Sequence, residues 1–327
     1  MQTVPPCSPR RHCSLYCSTP LESDLTPPTA DSTDSGSTQP PSLQPLVSVL
    51  IRSVDRAFLT LALESVALQT YPNIEVVVLA VSPGHRPLPS QCGKFPLRLI
   101  PTDQPVMRSA AANRAMSAAR GEFLIFLDDD DWMMPGHVAR LAEVLVRLPQ
   151  TQAVYTGIGL VDAEGKPMGQ TFDMPFDPIR QMAGNLTPIH AVLFRASVQA
   201  QGCRFDEALD RLEDWDFWLQ IANLSPMVHL PGVSAVYRIH ESSGVHTDAG
   251  PEGAATRRIY GKWEPNWTQQ QVTQIMQRVW TYPDMESRVN GLREQLAVAE
   301  QTVAAQQSTI AEQSAFIADQ ASCITEI

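Results

Sequence analysis

Phe123-Leu124-Ile125-Phe126-Leu127 runs straight into Asp128-Asp129-Asp130-Asp131, with no polar residue interrupting the apolar stretch. In a strand, successive side chains point to opposite sides, so five large apolar residues in a row need cover on both. A short unbroken run of this kind reads as an interior strand of a sheet clad in helices. Four carboxylates cannot follow it into the core without partners. They must lie where the strand leaves the sheet.

The neighbouring segments repeat the alternation. Leu46–Ile51 (LVSVLI) reads as a buried strand, and Phe58–Gln69 as a helix with Leu59, Leu63, Val66 and Ala67 at helical spacing. Ile74–Val81 (IEVVVLAV) is a second strand, closed by Ser82-Pro83-Gly84, and Leu97–Ile100 a third. Ser109–Ala119 is an alanine-rich helix stopped by Gly121. Strands alternating with helices predict an α/β domain, Rossmann-like, with a mainly parallel sheet flanked by helices. Ligands of such sheets bind beyond the carboxyl ends of the strands, where the aspartate run falls.

Three regions are expected. Residues 1–45 are rich in Pro, Ser and Thr, with Pro27-Pro28 and Pro40-Pro41, and lack recurring apolar positions, so they read as a disordered tail. Residues 46–282 carry the globular pattern. In 283–327, Val289, Leu296, Val303, Ile310, Ile317 and Ile324 recur every seven residues. Leu292, Ala299, Gln306, Gln313 and Gln320 fill the other seam position, predicting a coiled-coil helix and a route to oligomerisation. This helix reaches Ile327 without a cap, so the chain is expected to be a piece of a longer polypeptide.

Charge and cysteine usage narrow the function. A net charge of −11 argues against a general nucleic-acid binder, but not against a phosphate-bearing ligand held beside a divalent cation. Cys7, Cys13, Cys17, Cys92, Cys203 and Cys323 include no CxxC pair, so neither a zinc site nor a disulfide framework is expected. Isolated thiols fit a reducing compartment. With no secretory pattern at the N-terminus and no apolar stretch of about 20 residues, a cytoplasmic protein without an integral membrane span is expected.

Three constellations carry chemistry. The aspartate run offers oxygen ligands suited to Mg²⁺ or Mn²⁺, which take one or two carboxylates plus ligand phosphates. Glu213-Asp214-Trp215-Asp216-Phe217-Trp218 sets three acids among aromatics at a helix start. Low polarity raises a carboxylate's pKa toward that of a useful base, and one of these acids is placed to deprotonate a sugar hydroxyl. Tyr237-Arg238-Ile239-His240 follows a strand-like segment, with His240 a candidate metal or phosphate contact.

In this order the pieces resemble the inverting family 2 glycosyltransferases of GT-A fold. Val47–Arg56 (VSVLIRSVDR) is similar to that family's opening strand and nucleotide loop, and Asn113-Arg114-Ala115 through Gly121-Glu122-Phe123 to the helix and strand that follow. Phe126–Trp132 (FLDDDDW) resembles the DXD region, Glu213-Asp214 the later acidic pair, and Tyr237–His240 a YRxH-like segment. The resemblance implies metal-assisted transfer of a sugar from a nucleotide-diphosphate donor to a hydroxyl of a glycan, lipid or protein. Asp128 and Asp129 would help bind the donor, with Asp130 the metal ligand. Asp214 would be the general base, with Glu213 near the acceptor. Arg52, Ser53, Asp55, Arg108 and Asn113 would line the nucleotide pocket. Asn185–Arg195 would shape the acceptor pocket, with His190 a candidate contact.

The sequence departs from the family at Arg52, where proline is usual, and at Ala80-Val81-Ser82, where an acidic pair usually meets the base. The QxxRW motif of processive members is absent, implying single transfer. Two rivals stand beside this reading. One is a degenerate transferase fold serving as a binding or scaffold module. The other is a Mg²⁺-dependent phosphohydrolase with an aspartate nucleophile, which the scarcity of lysines and the residues Asp131-Trp132 disfavour.

Overall fold

A computed structural model describes residues 44–240 and 253–325. Nearly all of the 1–45 segment, with Cys7, Cys13 and Cys17, lies outside the described residues, as do the side chains of Gln320, Cys323 and Ile324. The described residues fall into two units that meet between Pro265 and Asn266.

The first unit is built in chain order from β1 (Val47–Ser53), α1 (Leu59–Ala67), β2 (Ile74–Ala80), β3 (Gln91–Cys92), β4 (Phe95–Ile100), α2 (Arg108–Ala118) and β5 (Phe123–Asp128). There follow β6 (Trp132–Met133), α3 (His137–Arg147), β7 (Ala153–Val161), β8 (Pro167–Phe172) and α4 (Pro178–Ala183). The unit is completed by β9 (Val192–Arg195), α5 (Glu213–Leu224), β10 (Val228–Arg238) and α6 (Ala254–Trp263). The strands order as β3-β4-β2-β1-β5-β9-β7-β10-β6, with β8 on β7. β4, β2, β1 and β5 are parallel, and β7 and β10 are parallel to each other. Antiparallel β9 separates these two blocks, so the sheet is mixed. Every residue of β1, β2 and β7 is buried, as their mostly apolar sequences require.

The amino end of the parallel block is fastened by buried Glu75. Its carboxylate accepts from Ser48 Oγ at 2.6 Å and from the Arg120 N–H at 2.6 Å, and pairs with Arg98 at 3.1 Å. Burial would raise the Glu75 pKa, but these donors outweigh it and hold the group below its ordinary value. Gly121 fits against β1 because it has no side chain: a Cβ there would lie 2.6 Å from the Ser48 backbone nitrogen.

The carboxyl end carries the chemistry. The β1–β5 register sets Arg52 opposite Asp128, and β10 ends at Arg238 beside the turn that follows β5. Tyr237 and Arg238 are therefore the last residues of a strand rather than loop residues. Asn185–Arg195 also splits: Val192–Phe194 are fully buried in β9, and only the residues before them reach a cavity.

The second unit contains α7 (Gln269–Thr325), which takes in the heptad segment. Leu292, Leu296, Ile310 and Ile317 are each about 60% or more exposed on it, as single-helix seam positions would be. No helix among the described residues is long and apolar enough to cross a membrane. Gly121→Ala is expected to lower unfolding stability by about 1–3 kcal/mol, read as a shift of the urea midpoint at constant slope, because the backbone of β1 must move.

Candidate active site

The four aspartates have four different surroundings. Asp128 faces Arg52, whose Nε and Nη2 lie 3.1 and 2.7 Å from Oδ1. Burial would raise the Asp128 pKa, but Arg52 and Arg108 outweigh it and hold the carboxyl at about 2. Asp129 is fully buried and organises the loop after β1, accepting from Ser53 Oγ (3.1 Å), the Val54 N–H (2.8 Å) and Arg56. Burial still leaves its pKa above the ordinary value. Asp131 is buried and accepts the Arg238 N–H at 2.8 Å. Burial, then the charges of Asp130 and Asp128, push its pKa well up. Asp130 meets His240, with Nε2 and Oδ2 2.8 Å apart, and lies 3.5 Å from Arg56.

Arg238 fixes this turn from the neighbouring strand. Its guanidinium lies 4.3 Å from the ring centre of Phe58 and 5.0 Å from that of Trp132, and donates to the carbonyls of Asp130 and Ala163. It is buried, and its burial lowers its pKa more than the neighbouring acids raise it.

The second acidic motif opens α5, where Glu213, Asp214 and Asp216 stand in the first turn and complement the helix dipole. Leu212 just ahead takes the left-handed conformation, with φ of 56°, which is costly for a branched side chain. Glu213 is buried and receives Arg52 Nη1 at 2.6 Å. Arg52 thus joins the two acidic motifs, bonding Asp128 and also Glu213, which lies 161 residues further along the chain. Asp214 is half-buried on the cavity wall, its Oδ2 accepting from Asn185 Nδ2 at 2.8 Å. Burial and then the Glu213 charge raise its pKa toward neutrality.

Two cavities adjoin at Arg52, Arg108 and Asp128, which line both. One, about 280 Å³, is walled by Val54, Arg56, Val81 and Val106. The other, about 330 Å³, is walled by Asn185, Glu213, Asp214, Trp215 and Tyr237, with His190 at its base. Three polar atoms lining the larger cavity, Asp131 Oδ2 and both ring nitrogens of His190, are buried without a hydrogen-bond partner among the described residues. His190 Nδ1 is 3.2 Å from Asp131 Oδ2 but poorly aligned with it, and burial holds its pKa down at about 4.

The structure brings together Arg52, Arg108, Asp128, Asp130, Glu213, Asp214 and His240 at the carboxyl end of the parallel strands. Asp129 and Ser53 sit beneath the surface, so they shape the loop rather than reach a ligand. Asp55 stands in that loop with φ of 63° and pairs with Arg86 at 2.9 Å. Asn113 lies elsewhere: its amide clips the 205–207 segment, bonding both Phe205 backbone groups and Glu207. It lines neither cavity. Arg56 and Asn185 are the contributors that no separate motif singled out, although both fall in segments recognisable from sequence.

Among the described residues no group of three His, Cys, Asp or Glu is arranged to hold a metal unaided. Asp130 and His240 nevertheless supply one oxygen and one nitrogen donor side by side. That set fits Mg²⁺ or Mn²⁺ when ligand phosphates complete the coordination.

Residues 48–200 match the description "Glycosyl transferase family 2". This part of the chain is a family 2 glycosyltransferase domain. An uncharacterised glycosyltransferase of Haemophilus influenzae is 24% identical over 186 residues, 54% of this chain and 62% of that protein. Chondroitin synthase of Escherichia coli is 22% identical over 190 residues, 57% of this chain but 28% of that enzyme. The crystal structure of S. aureus TarS 1-349 in complex with UDP-GlcNAc shares the fold, with a TM-score of 0.52, 18% identity, and coverage of 65% of this chain and 64% of that one. The family 2 domain therefore spans under two thirds of these relatives.

Arg52→Met is expected to cost about 3–5 kcal/mol in chemical denaturation, because it leaves Asp128 and Glu213 charged without a partner. Arg86→Met, which removes a partly exposed pair with Asp55, should cost no more than about 1 kcal/mol.

Proposed function

We propose that the domain is an inverting glycosyltransferase that moves one sugar from a nucleotide-diphosphate donor to an acceptor hydroxyl with the help of a divalent cation. The observation that carries this reading is the junction at Arg52, where the aspartate run and the Glu213-Asp214 pair share one pair of adjoining cavities. The smaller cavity, with Arg56 and Arg108 at its wall, suits the nucleotide diphosphate. The larger, with Asp214 and its unpartnered polar atoms, suits the acceptor.

Asp214 accepts the proton of the acceptor hydroxyl as the acceptor oxygen bonds to the anomeric carbon. The bond from that carbon to the diphosphate oxygen breaks, and its electron pair leaves with the nucleotide. Asn185 orients the Asp214 carboxylate, while burial and then the Glu213 charge keep its pKa high against the opposing charge of Arg52. Asp130 and His240 would hold the cation, which when bound supplies positive charge against the leaving diphosphate. The apolar heptad face of α7 would pair with another helix.

A panel of nucleotide-sugars with Mn²⁺ or Mg²⁺, followed by mass spectrometry, tests the activity, and no donor consumption under any condition would end it. Asp214→Asn should lower kcat by about 10²–10⁴-fold while calorimetric donor affinity stays within about twofold. Asp130→Ala should weaken donor binding and remove its dependence on the cation. Because Asp214 acts deprotonated, kcat/KM should fall as pH drops through its raised pKa, with a midpoint well above the value of about 4 of an ordinary carboxylate. That acidic limb should disappear from the residual activity of Asp214→Asn.

A further inference from the structure

Asp216 is the acid of the second motif that the transfer does not use. It is fully buried, lines neither cavity, and is held by three donors: Trp263 Nε1 and Lys262 Nζ at 2.7 Å and Gln220 Nε2 at 2.8 Å. Trp263 and Lys262 belong to α6, so this carboxylate ties α6 to the helix that carries Asp214. A second attachment lies one turn away, where the Tyr260 hydroxyl donates to the Ala183 carbonyl at 2.9 Å and its ring meets Trp215 edge-on. Fixed in this way, α6 presents Thr256 and Tyr260 to the larger cavity. The Thr256 hydroxyl is buried there without a hydrogen-bond partner among the described residues. A buried hydroxyl left this way is stabilised by a ligand that can donate to it or accept from it.

We propose that α6 is the acceptor-binding wall, with Thr256 and Tyr260 contacting a hydroxyl-rich carbohydrate acceptor and Asp216 as the positioning residue that latches α6 against α5. This assignment rests on the transferase reading of the cavity. Thr256 supplies a hydrogen bond to an acceptor hydroxyl. The Tyr260 ring offers a flat face to the apolar side of a sugar ring. Asp216 touches no substrate and acts through the two α6 side chains it binds.

Two measurements test it. Hydrogen–deuterium exchange of residues 254–263 should rise about tenfold or more in Asp216→Asn and in Lys262→Met, while α5 stays protected. The exposed position of Lys262 keeps the second variant informative if the first fails to fold. Unchanged α6 exchange in Lys262→Met would overturn the latch. In the second arm, aryl glycosides of glucose, galactose, mannose and N-acetylglucosamine serve as acceptors. Thr256→Val and Asp216→Asn should raise the acceptor KM about fivefold or more, with affinity for UDP or GDP plus Mn²⁺ within about twofold of the native chain. An unmoved KM in Thr256→Val, or equal losses in nucleotide affinity, would overturn the acceptor wall. If the native chain binds no nucleotide and transfers no sugar, the transferase reading fails and the acceptor assignment with it, while the exchange arm still decides the latch.

Discussion

The guanidinium of Arg52 is the point on which the site's geometry depends. It is a buried cation at the last turn of an interior strand, and its three nitrogens divide between Asp128 and Glu213. Two carboxylates set close together in a poorly solvated cleft would repel, and one would take up a proton. With Arg52 between them, Asp128 is kept ionised and Glu213 has a fixed counter-charge. The Phe126 ring 5.6 Å below the guanidinium limits its movement. Glu213 in turn sets the start of α5, and the start of α5 sets Asp214. A residue that the sequence marks as a departure, arginine for proline, is thus the mechanical link between the aspartate run and the Glu213-Asp214 pair.

Much of the fold was legible because three strands are mostly apolar. β1, β2 and β5 lie within a residue or two of the positions their sequences imply, and α1 and α2 likewise. Less legible were β7, β9 and β10. Gly157, Gly159 and Gly232 dilute their apolar pattern, and β9 is antiparallel to both neighbours, which strand–helix alternation does not foretell. Asn113 shows a different limit. Its position in a recognisable segment implies a pocket residue, yet a short amide on a buried helix face was the group available to clip the Phe205 backbone. Which neighbour an amide meets is set by tertiary packing and leaves no periodic mark. Thr256 and Tyr260 had no local signal either, since nothing in α6 alone says which cavity it borders.

Three residues that border the larger cavity carry buried polar atoms without a hydrogen bond among the described residues. Native interiors pair nearly all their buried polar groups, and each exception calls for a reason. Here Asp131 Oδ2, the His190 ring nitrogens and the Thr256 hydroxyl, all on residues that border one cavity, are buried without a hydrogen bond among the described residues. His137 beneath shows the contrast. Its two nitrogens contact Ser234 Oγ at 2.8 Å and the His190 carbonyl at 3.0 Å, so it anchors the His190 backbone, while the His190 ring lies against Tyr237 and 3.2 Å from Asp131.

Four consecutive aspartates are tolerable because the backbone turn, closed by the Asp131 N–H to the Asp128 carbonyl, sends each to a different partner. Asp128 meets Arg52, Asp129 meets Arg56, Asp131 meets the Arg238 backbone, and Asp130 meets His240. The first two partners are arginines, which stay charged and cannot give way to a metal. Asp131 is sealed in the interior. Asp130, 3.5 Å from Arg56, is the one whose hydrogen-bonded partner is an imidazole, that of His240. The run reads in sequence as a single patch of negative charge. In the folded chain it is two arginine pairs, one backbone contact and one histidine pair, and the chemistry of the partners, more than the identity of the acids, decides which is which.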